Sequence, residues 1–326
     1  MSDPTQIIII DSSPIGLHFR AHLIYNPEER IGKGSFKTAN QASLEFGNVR
    51  PLVGLGSHID TSKLTVALKR PFIDKAASKR PGLRSLNATA PVSRLTVTDE
   101  QHAVTGEAKL LVWANALLEF AYDFIFDYAQ TNNAPPGVED FMTIIPLFRF
   151  VDAGVAVVVK PLETTLTGRP STQRATYLLE EMLPGTPAEF VKYMHNSEAT
   201  TILQHDDPEY ELAEFLMFMQ HVQYQITHGT AYISDFQGRP RKFLRYLISY
   251  IFQYIPGVGT SLTDPQIMTK PDLGSSLFGD GNLGEAFSKF PIEHACIGNR
   301  WCEWFELGKL QADNETDDAK GHSPLE

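Results

Sequence analysis

The chain holds two cysteines, Cys296 and Cys302, and both fall beside His294 in the segment HACIGNRWC. Thiolate and imidazole are the ligands Zn²⁺ takes in a closed tetrahedral site. The cluster therefore reads as three ligands of a structural metal site, with a fourth to come from elsewhere in the chain. A disulfide or two buried free thiols are the competing readings. The disulfide is disfavoured because the N-terminus MSDPTQIIIID has neither the basic flank nor the length of a signal peptide, which implies a reducing compartment. Just upstream, Gly279, Asp280, Gly281, Asn282, Leu283 and Gly284 form a glycine-rich turn. Three glycines in six positions allow positive φ and let backbone N–H groups approach a ligand closely.

Charged residues at the ends of apolar runs are the next candidates. Lys69 closes the run Leu64–Leu68 in LTVALKRPF. A lysine so placed can aim its ammonium at nucleotide phosphates, or it can be an ordinary surface lysine at a strand end. Lys160 in GVAVVVKPL is a rival for the same role. Gly32 and Gly34, ahead of Ser35, Phe36 and Lys37, fit either a hairpin that covers phosphates or a plain tight turn. Asp235 follows the strand-like run Thr230–Ser234 and precedes Gln237 and Gly238, a placement suited to facing a cleft. Asp264 in LTDPQI is a second carboxylate, or simply a turn former beside Pro265.

The elements that would position these groups show in the apolar periodicity. Residues 104–130 predict a helix with Leu110, Trp113, Leu117, Phe120, Phe124 and Tyr128 as its core stripe, carrying Glu107 and Glu119. Residues 209–227 predict a second helix buried through Leu212, Phe215, Leu216, Met219, Val222 and Ile226. Strands are expected at 7–10, 64–68, 143–150, 154–160, 176–180 and 230–234. Residues 70–87, with Arg70, Lys75, Lys79, Arg80 and Arg84, read as a mobile, solvated basic loop.

The totals narrow the function classes. At 326 residues the chain can build a sizeable core, and 42% hydrophobic with 21% charged residues is ordinary globular composition. A formal net charge of −11 argues against a general binder of nucleic acid or anionic membrane. No apolar run has the length of a bilayer span. A cytoplasmic protein is the expectation.

The motifs SDFQG (234–238), LTDPQI (262–267), GDGNLG (279–284) and HAC…WCEWFEL (294–307), specific in this order, resemble the alpha-type protein kinases. That is the family of the myosin heavy-chain and elongation-factor-2 kinases, and the likeness is greatest to its fungal members. It extends over most of residues 30–308. The resemblance implies an α+β two-lobed kinase-like fold that transfers the γ-phosphate of ATP to Ser or Thr of a protein. It makes Lys69 the phosphate-binding lysine and Asp235 the residue that orients the attacking hydroxyl. It gives Mg²⁺ to Gln237 and Asp264, the adenine to Glu180 and Met182, and a ligand-facing role to Gly279, Asp280, Gly281, Asn282 and Gly284. Phe190, Lys192, Tyr193 and Asn196 match the family's link between lobes. Its zinc pattern places the fourth ligand at His221, with His228 as fallback, beside His294, Cys296 and Cys302. A helix glutamate, Glu107 or Glu119, would steady the lysine. The lobes would run 1–180 and 181–310, followed by a disordered acidic tail, 311–326.

Two departures stand out. Asp235 and Asp264 are 29 positions apart, wider than in the family, because of the aromatic and basic stretch 239–258. Its spacing of Phe243, Leu244, Leu247, Ile248 and Ile251 predicts an amphipathic helix. Ile297 and Gly298 lengthen the loop between the cysteines. The alternative to an active enzyme is therefore a kinase-like or zinc-stabilised binding module, disabled by the insertion.

Overall fold

The computed structural model describes residues 5–11, 18–34, 36–46, 55, 63–73, 92–138, 141–159, 173–240, 260–274, 277–294, 296 and 298–310. Lys160, Ile297, residues 241–258 of the insertion and the acidic tail lie outside them. The chain divides into two compact units of interleaved segments. The first takes residues 1–116, 143–191 and 237–265; the second takes 117–142, 192–236 and 266–326. The division therefore differs from a single cut at 180. Helix and sheet are mixed throughout, an α+β composition.

The first unit is built on six antiparallel strands: β1 (Thr5–Asp11), β2 (His18–Lys33), β3 (Lys37–Phe46), β4 (Lys63–Pro71), β6 (Ala153–Val159) and β7 (Gln173–Glu181). They close into a barrel in the order β1-β2-β3-β4-β7-β6. Closure leaves no unpaired edge. Strict alternation drives it: along β3, Thr38, Asn40, Ala42, Leu44 and Phe46 are buried while Lys37, Ala39 and Gln41 are not. Leu23, Leu44, Val66, Leu68, Ala156, Tyr177 and Leu179 fill the interior. A smaller sheet joins β5 (Phe148–Phe150), β11 (Thr260–Thr263), β10 (Gln237–Arg239) and β8 (Val191–Lys192), where the chain leaves the unit. Gly238 is required in β10, because a Cβ there would collide with the backbone of Ser261 and Leu262.

Helix α1 (Val97–Thr131) covers the expected 104–130 stretch, but its buried face lies one residue on. Val104, Ala108, Leu111, Ala114, Leu118, Ala121 and Ile125 are buried, and so is Leu110 of the expected stripe, whereas Trp113 is 57% exposed and Phe120 51%. Small alanines take the inward positions, so the large side chains mislead about the helix phase. The run 143–150 also differs from expectation: it opens with a short helix, α2 (Phe141–Ile144), and only Phe148–Phe150 is strand. Arg70 belongs to β4 and not to a solvated loop.

The second unit centres on α3 (Tyr210–Ile226), buried on every side from Ala213 to Tyr224. A helix enclosed all round must satisfy its polar side chains internally. Gln220 Nε2 accordingly donates to the Ile233 carbonyl, and Gln223 Oε1 accepts from the Ile233 N–H, which fixes β9 (Ala231–Ser234) against it. Strand β12 (Gln266–Thr269) pairs with β9, with Ser234 opposite Gln266. Helices α4 (Gly284–Glu293) and α5 (Arg300–Trp304) complete the unit. Asn299 caps α5 by accepting from the N–H groups of Trp301 and Cys302.

Candidate active site

In the first unit, five charged side chains meet, from β3, β4, β7, α1 and the turn after β11. Lys69, on the outward face of β4, places Nζ 2.7 Å from Glu180 Oε2 and 2.9 Å from Asp264 Oδ1. Lys37, the first residue of β3, shares that face and donates to Asp264 Oδ1 at 2.9 Å and to Glu107 Oε2 at 2.6 Å. Ala39 stands opposite Lys69 in the β3–β4 register, so the two lysines are near neighbours on one surface. Thr263 completes the group: it accepts from Lys69 Nζ at 3.2 Å and donates to Glu180 Oε2 at 2.6 Å. Gln237 pairs with Thr263 in the β10–β11 register, which brings it to the same hairpin end as Asp264.

Charge pairing outweighs burial here. Desolvation disfavours both ammoniums, yet Asp264 and Glu180, with Glu107 at Lys37, hold both lysines above the ordinary lysine range. Burial likewise opposes ionisation of Asp264, but Lys37 and Lys69 keep it well below the usual carboxylate range. Glu107 is the exception, since desolvation raises it despite Lys37. The cluster presents two cations and three carboxylates. It can receive polyphosphate if the lysines exchange carboxylate partners for phosphate oxygens, and a divalent cation would offset the negative charge left at Asp264. Glu180 has a further opening: its Oε1 is buried and has no hydrogen-bond partner among the described residues, so it can accept from a ligand amine.

Of the two candidate helix glutamates, Glu107 reaches a lysine, although that lysine is Lys37. Glu119 lies on an exposed stretch of α1. Met182 follows β7 directly and is half-buried. Lys37 and Thr263 were missed as site residues. The signal for Lys37 was the alternation of β3, which puts it on the outward face with Ala39 and Gln41. Lys37→Met is expected to weaken ATP binding by about 10- to 100-fold, the effect of losing one or two units of log affinity at a phosphate cation. Titration of ATP·Mg²⁺ into the variant checks this, and affinity within about twofold of wild type would contradict it.

In the second unit, Asp235 follows β9 with φ +59°, a left-handed conformation that aspartate tolerates better than most residues. Its Oδ1 accepts from Lys192 Nζ at 2.6 Å, a partly buried ion pair joining positions 43 residues apart, which no local pattern could reveal. Asp264 has a φ of +50° as well. Backbone strain of this kind persists where surrounding contacts enforce it, and it concentrates at working sites.

The glycine-rich turn belongs to the second unit. Gly279 takes φ +81°, and a Cβ at Gly281 would overlap the Gln266 side chain. Gly284 serves instead as the first residue of α4. Asn282 is buried and occupied: its amide accepts from the Thr269 N–H at 2.9 Å and donates to Thr269 Oγ1 at 2.6 Å. Asn196 Nδ2 donates to the Gly281 carbonyl, pinning the turn from the other side. Asp280 is exposed.

His221 from α3, His294 from the end of α4, Cys296 and Cys302 offer ligand atoms that all lie within 4.8 Å of one another. Cys296 Sγ is 3.3 Å and Cys302 Sγ 3.6 Å from His221 Nδ1, and Cys302 Sγ is 3.8 Å from His294 Nε2. Those are edge lengths of a tetrahedron with metal bonds of roughly 2.0–2.3 Å, so the four side chains fit a tetrahedral metal ion. His228 is not part of the cluster. The cysteines are not disulfide-bonded. The hydrogen bond between them drives the Cys296 thiol down and the Cys302 thiol up.

Residues 148–302 match the family model described as Alpha-kinase family. Alpha-kinases are protein kinases that use ATP and Mg²⁺. Searches of curated proteins and of solved structures return no match. Among the described residues no helix is long and apolar enough to cross a membrane.

Proposed function

We propose that this protein is an ATP-dependent serine/threonine kinase of the alpha type, with a two-lobed kinase-like fold and a structural zinc ion. One observation carries the reading: Lys69, Glu180 and Asp264, singled out separately in the sequence, form one ion-paired cluster with Lys37 and Thr263. When bound, ATP supplies the transferable phosphoryl group and Mg²⁺ neutralises phosphate charge. Lys37 and Lys69 then hold phosphate oxygens, and Gln237 and Asp264 offer oxygen ligands to the cation. Glu180, with its open oxygen, takes the adenine amine, and Met182 takes the base edge through its backbone. Thr263 is a positioning residue that keeps Glu180 and Lys69 in register.

Asp235 accepts or orients the proton of the substrate hydroxyl, and Lys192 Nζ, 2.6 Å from its Oδ1, holds the carboxylate in place. The 279–284 turn is offered as a ligand-facing loop through Gly279, Asp280, Gly281 and Gly284, while Asn282 anchors it. No covalent intermediate is needed, because positioning and charge neutralisation supply the rate enhancement. His221, His294, Cys296 and Cys302 would fill all four positions of a zinc ion and leave none open for hydrolytic chemistry.

Thermal denaturation with and without ATP·Mg²⁺ separates this reading from a module with no nucleotide site. Stabilisation of wild type that is lost in Lys69→Ala is the expected result. An unchanged midpoint for wild type at millimolar nucleotide would overturn it.

A further inference from the structure

Two arginines of the small sheet in the first unit hold the segment that leaves β7. Ser261 of β11 stands opposite Arg149 of β5 on one side and Arg239 of β10 on the other. The two arginines therefore share a row and lie on one face of that sheet. Arg149 grips the segment where it starts. Its Nη1 and Nη2 donate to Glu181 Oε2 at 2.6 Å and Oε1 at 2.7 Å, a two-pronged ion pair. Arg239 meets the segment further on. A Cβ at Gly185 would overlap the Arg239 guanidinium, which thus occupies the space where any other residue would carry its side chain. Gly185 also holds φ +103°, which glycine adopts without strain. Arg239 Nη2 donates to Glu189 Oε2 at 2.8 Å. That same oxygen accepts from the Thr186 N–H at 2.9 Å and from Thr186 Oγ1 at 3.3 Å, and the Glu189 N–H donates back to the Thr186 carbonyl at 3.1 Å.

The Arg239–Glu189 pair adds little as an ion pair alone, because the Glu189 side chain is 52% exposed. Its effect is geometric. Residues 184–186, 188 and 189 are exposed, so the stretch has little burial of its own to hold a shape. Arg239 and Glu189 supply that shape by closing a short loop and laying a flat guanidinium against its glycine. By sequence Arg239 opens the aromatic and basic stretch 239–258, yet it is the last residue of β10. Met182, whose backbone is assigned above to the base edge, lies in the same segment, between the grips of the two arginines. A binding segment that visits other shapes weakens its ligand in proportion to the time spent in them.

We propose that Arg239 is a positioning residue for the adenine base: with Arg149 at the other end, it presets residues 182–189 in the shape that receives the base. The proposal rests on the nucleotide reading given above and adds to it a residue that stands outside the phosphate cluster.

Titration of the full chain with adenosine, which has no phosphate, with tripolyphosphate, which has no base, and with ATP·Mg²⁺ tests this. A segment left receptive for about a tenth to a third of the time lowers affinity about 3- to 10-fold. Arg239→Ala is expected to show that loss for adenosine and ATP·Mg²⁺ alike and none for tripolyphosphate. KM for ATP should rise by the same factor with kcat little changed, and amide hydrogen exchange at 183–190 should quicken in the absence of nucleotide. Arg239→Lys keeps the charge but not the flat fork, and should recover little of the loss. The proposal alone fails if wild type binds adenosine and Arg239→Ala binds it as tightly, if the loss is as great for tripolyphosphate, if exchange at 183–190 is unchanged, or if Arg239→Lys restores wild-type affinity. Wild type that binds neither adenosine nor ATP·Mg²⁺ overturns the nucleotide reading and this proposal with it. Should Arg239→Ala not fold, Glu189→Ala, which alters an exposed side chain of the same contact, decides by the same titrations.

Discussion

Asp235→Asn is expected to lower phosphotransfer by about 10³-fold or more while leaving the protein folded. The substitution keeps the shape of the side chain and its hydrogen-bonding reach. Asparagine also accepts the left-handed backbone that this position requires, at φ +59°. What is lost is the negative charge that accepts a proton and pairs with Lys192 Nζ at 2.6 Å. ATP affinity should change little, because the phosphate-binding cations assigned above, Lys37 and Lys69, are not its partners. Single-turnover kinetics with saturating ATP checks this: a tenth or more of wild-type activity would remove Asp235 from the reaction.

Removing the metal is expected to have the largest effect on stability. The four candidate ligands come from α3, the end of α4 and the segment around α5, so a bound ion would tie together elements that otherwise meet through aromatic contacts. Trp301 packs on Phe215 at 4.8 Å, Phe305 on Phe218 at 4.8 Å, and Phe290 on Tyr232 at 4.0 Å, all around those ligands. Structural zinc in small domains is worth on the order of 10 kcal/mol, and even a fraction of that exceeds the margin of most folds. Cys302→Ser, or treatment with a strong chelator, should lower the thermal midpoint by about 10 °C or more or leave the second unit unfolded. Elemental analysis of purified wild type should give about one zinc per chain. Metal-free protein that melts at the wild-type temperature would refute the structural role.

What the sequence disclosed followed from physics that is local or compositional. Helix α3 was legible as a helix because Leu212, Phe215, Leu216, Met219, Val222 and Ile226 recur at helical spacing, although the element is enclosed on every side and not along that stripe alone. The metal cluster was legible because two cysteines and a histidine are rare, chemically distinctive and close in sequence, although choosing His221 over His228 needed the family pattern. The strand carrying Lys69 showed through its alternation. The phase of α1 did not, since alanines make poor signals and Trp113 draws attention to the wrong face. Lys192 and Thr263 were hidden for another reason: their roles depend on partners 43 and 83 positions away. Lys37 was in plain view, in a segment that fitted either a phosphate-covering hairpin or a plain tight turn. Arg70, taken for loop charge, is a barrel residue held by Glu100.

The most direct measurement is transfer of labelled γ-phosphate from ATP to a generic basic protein in the presence of Mg²⁺, followed by phosphoamino-acid analysis. The account predicts phosphoserine or phosphothreonine from wild type and none above background from Asp235→Asn or Lys69→Ala. No transfer by zinc-loaded, folded wild-type protein that binds ATP·Mg²⁺ would contradict it.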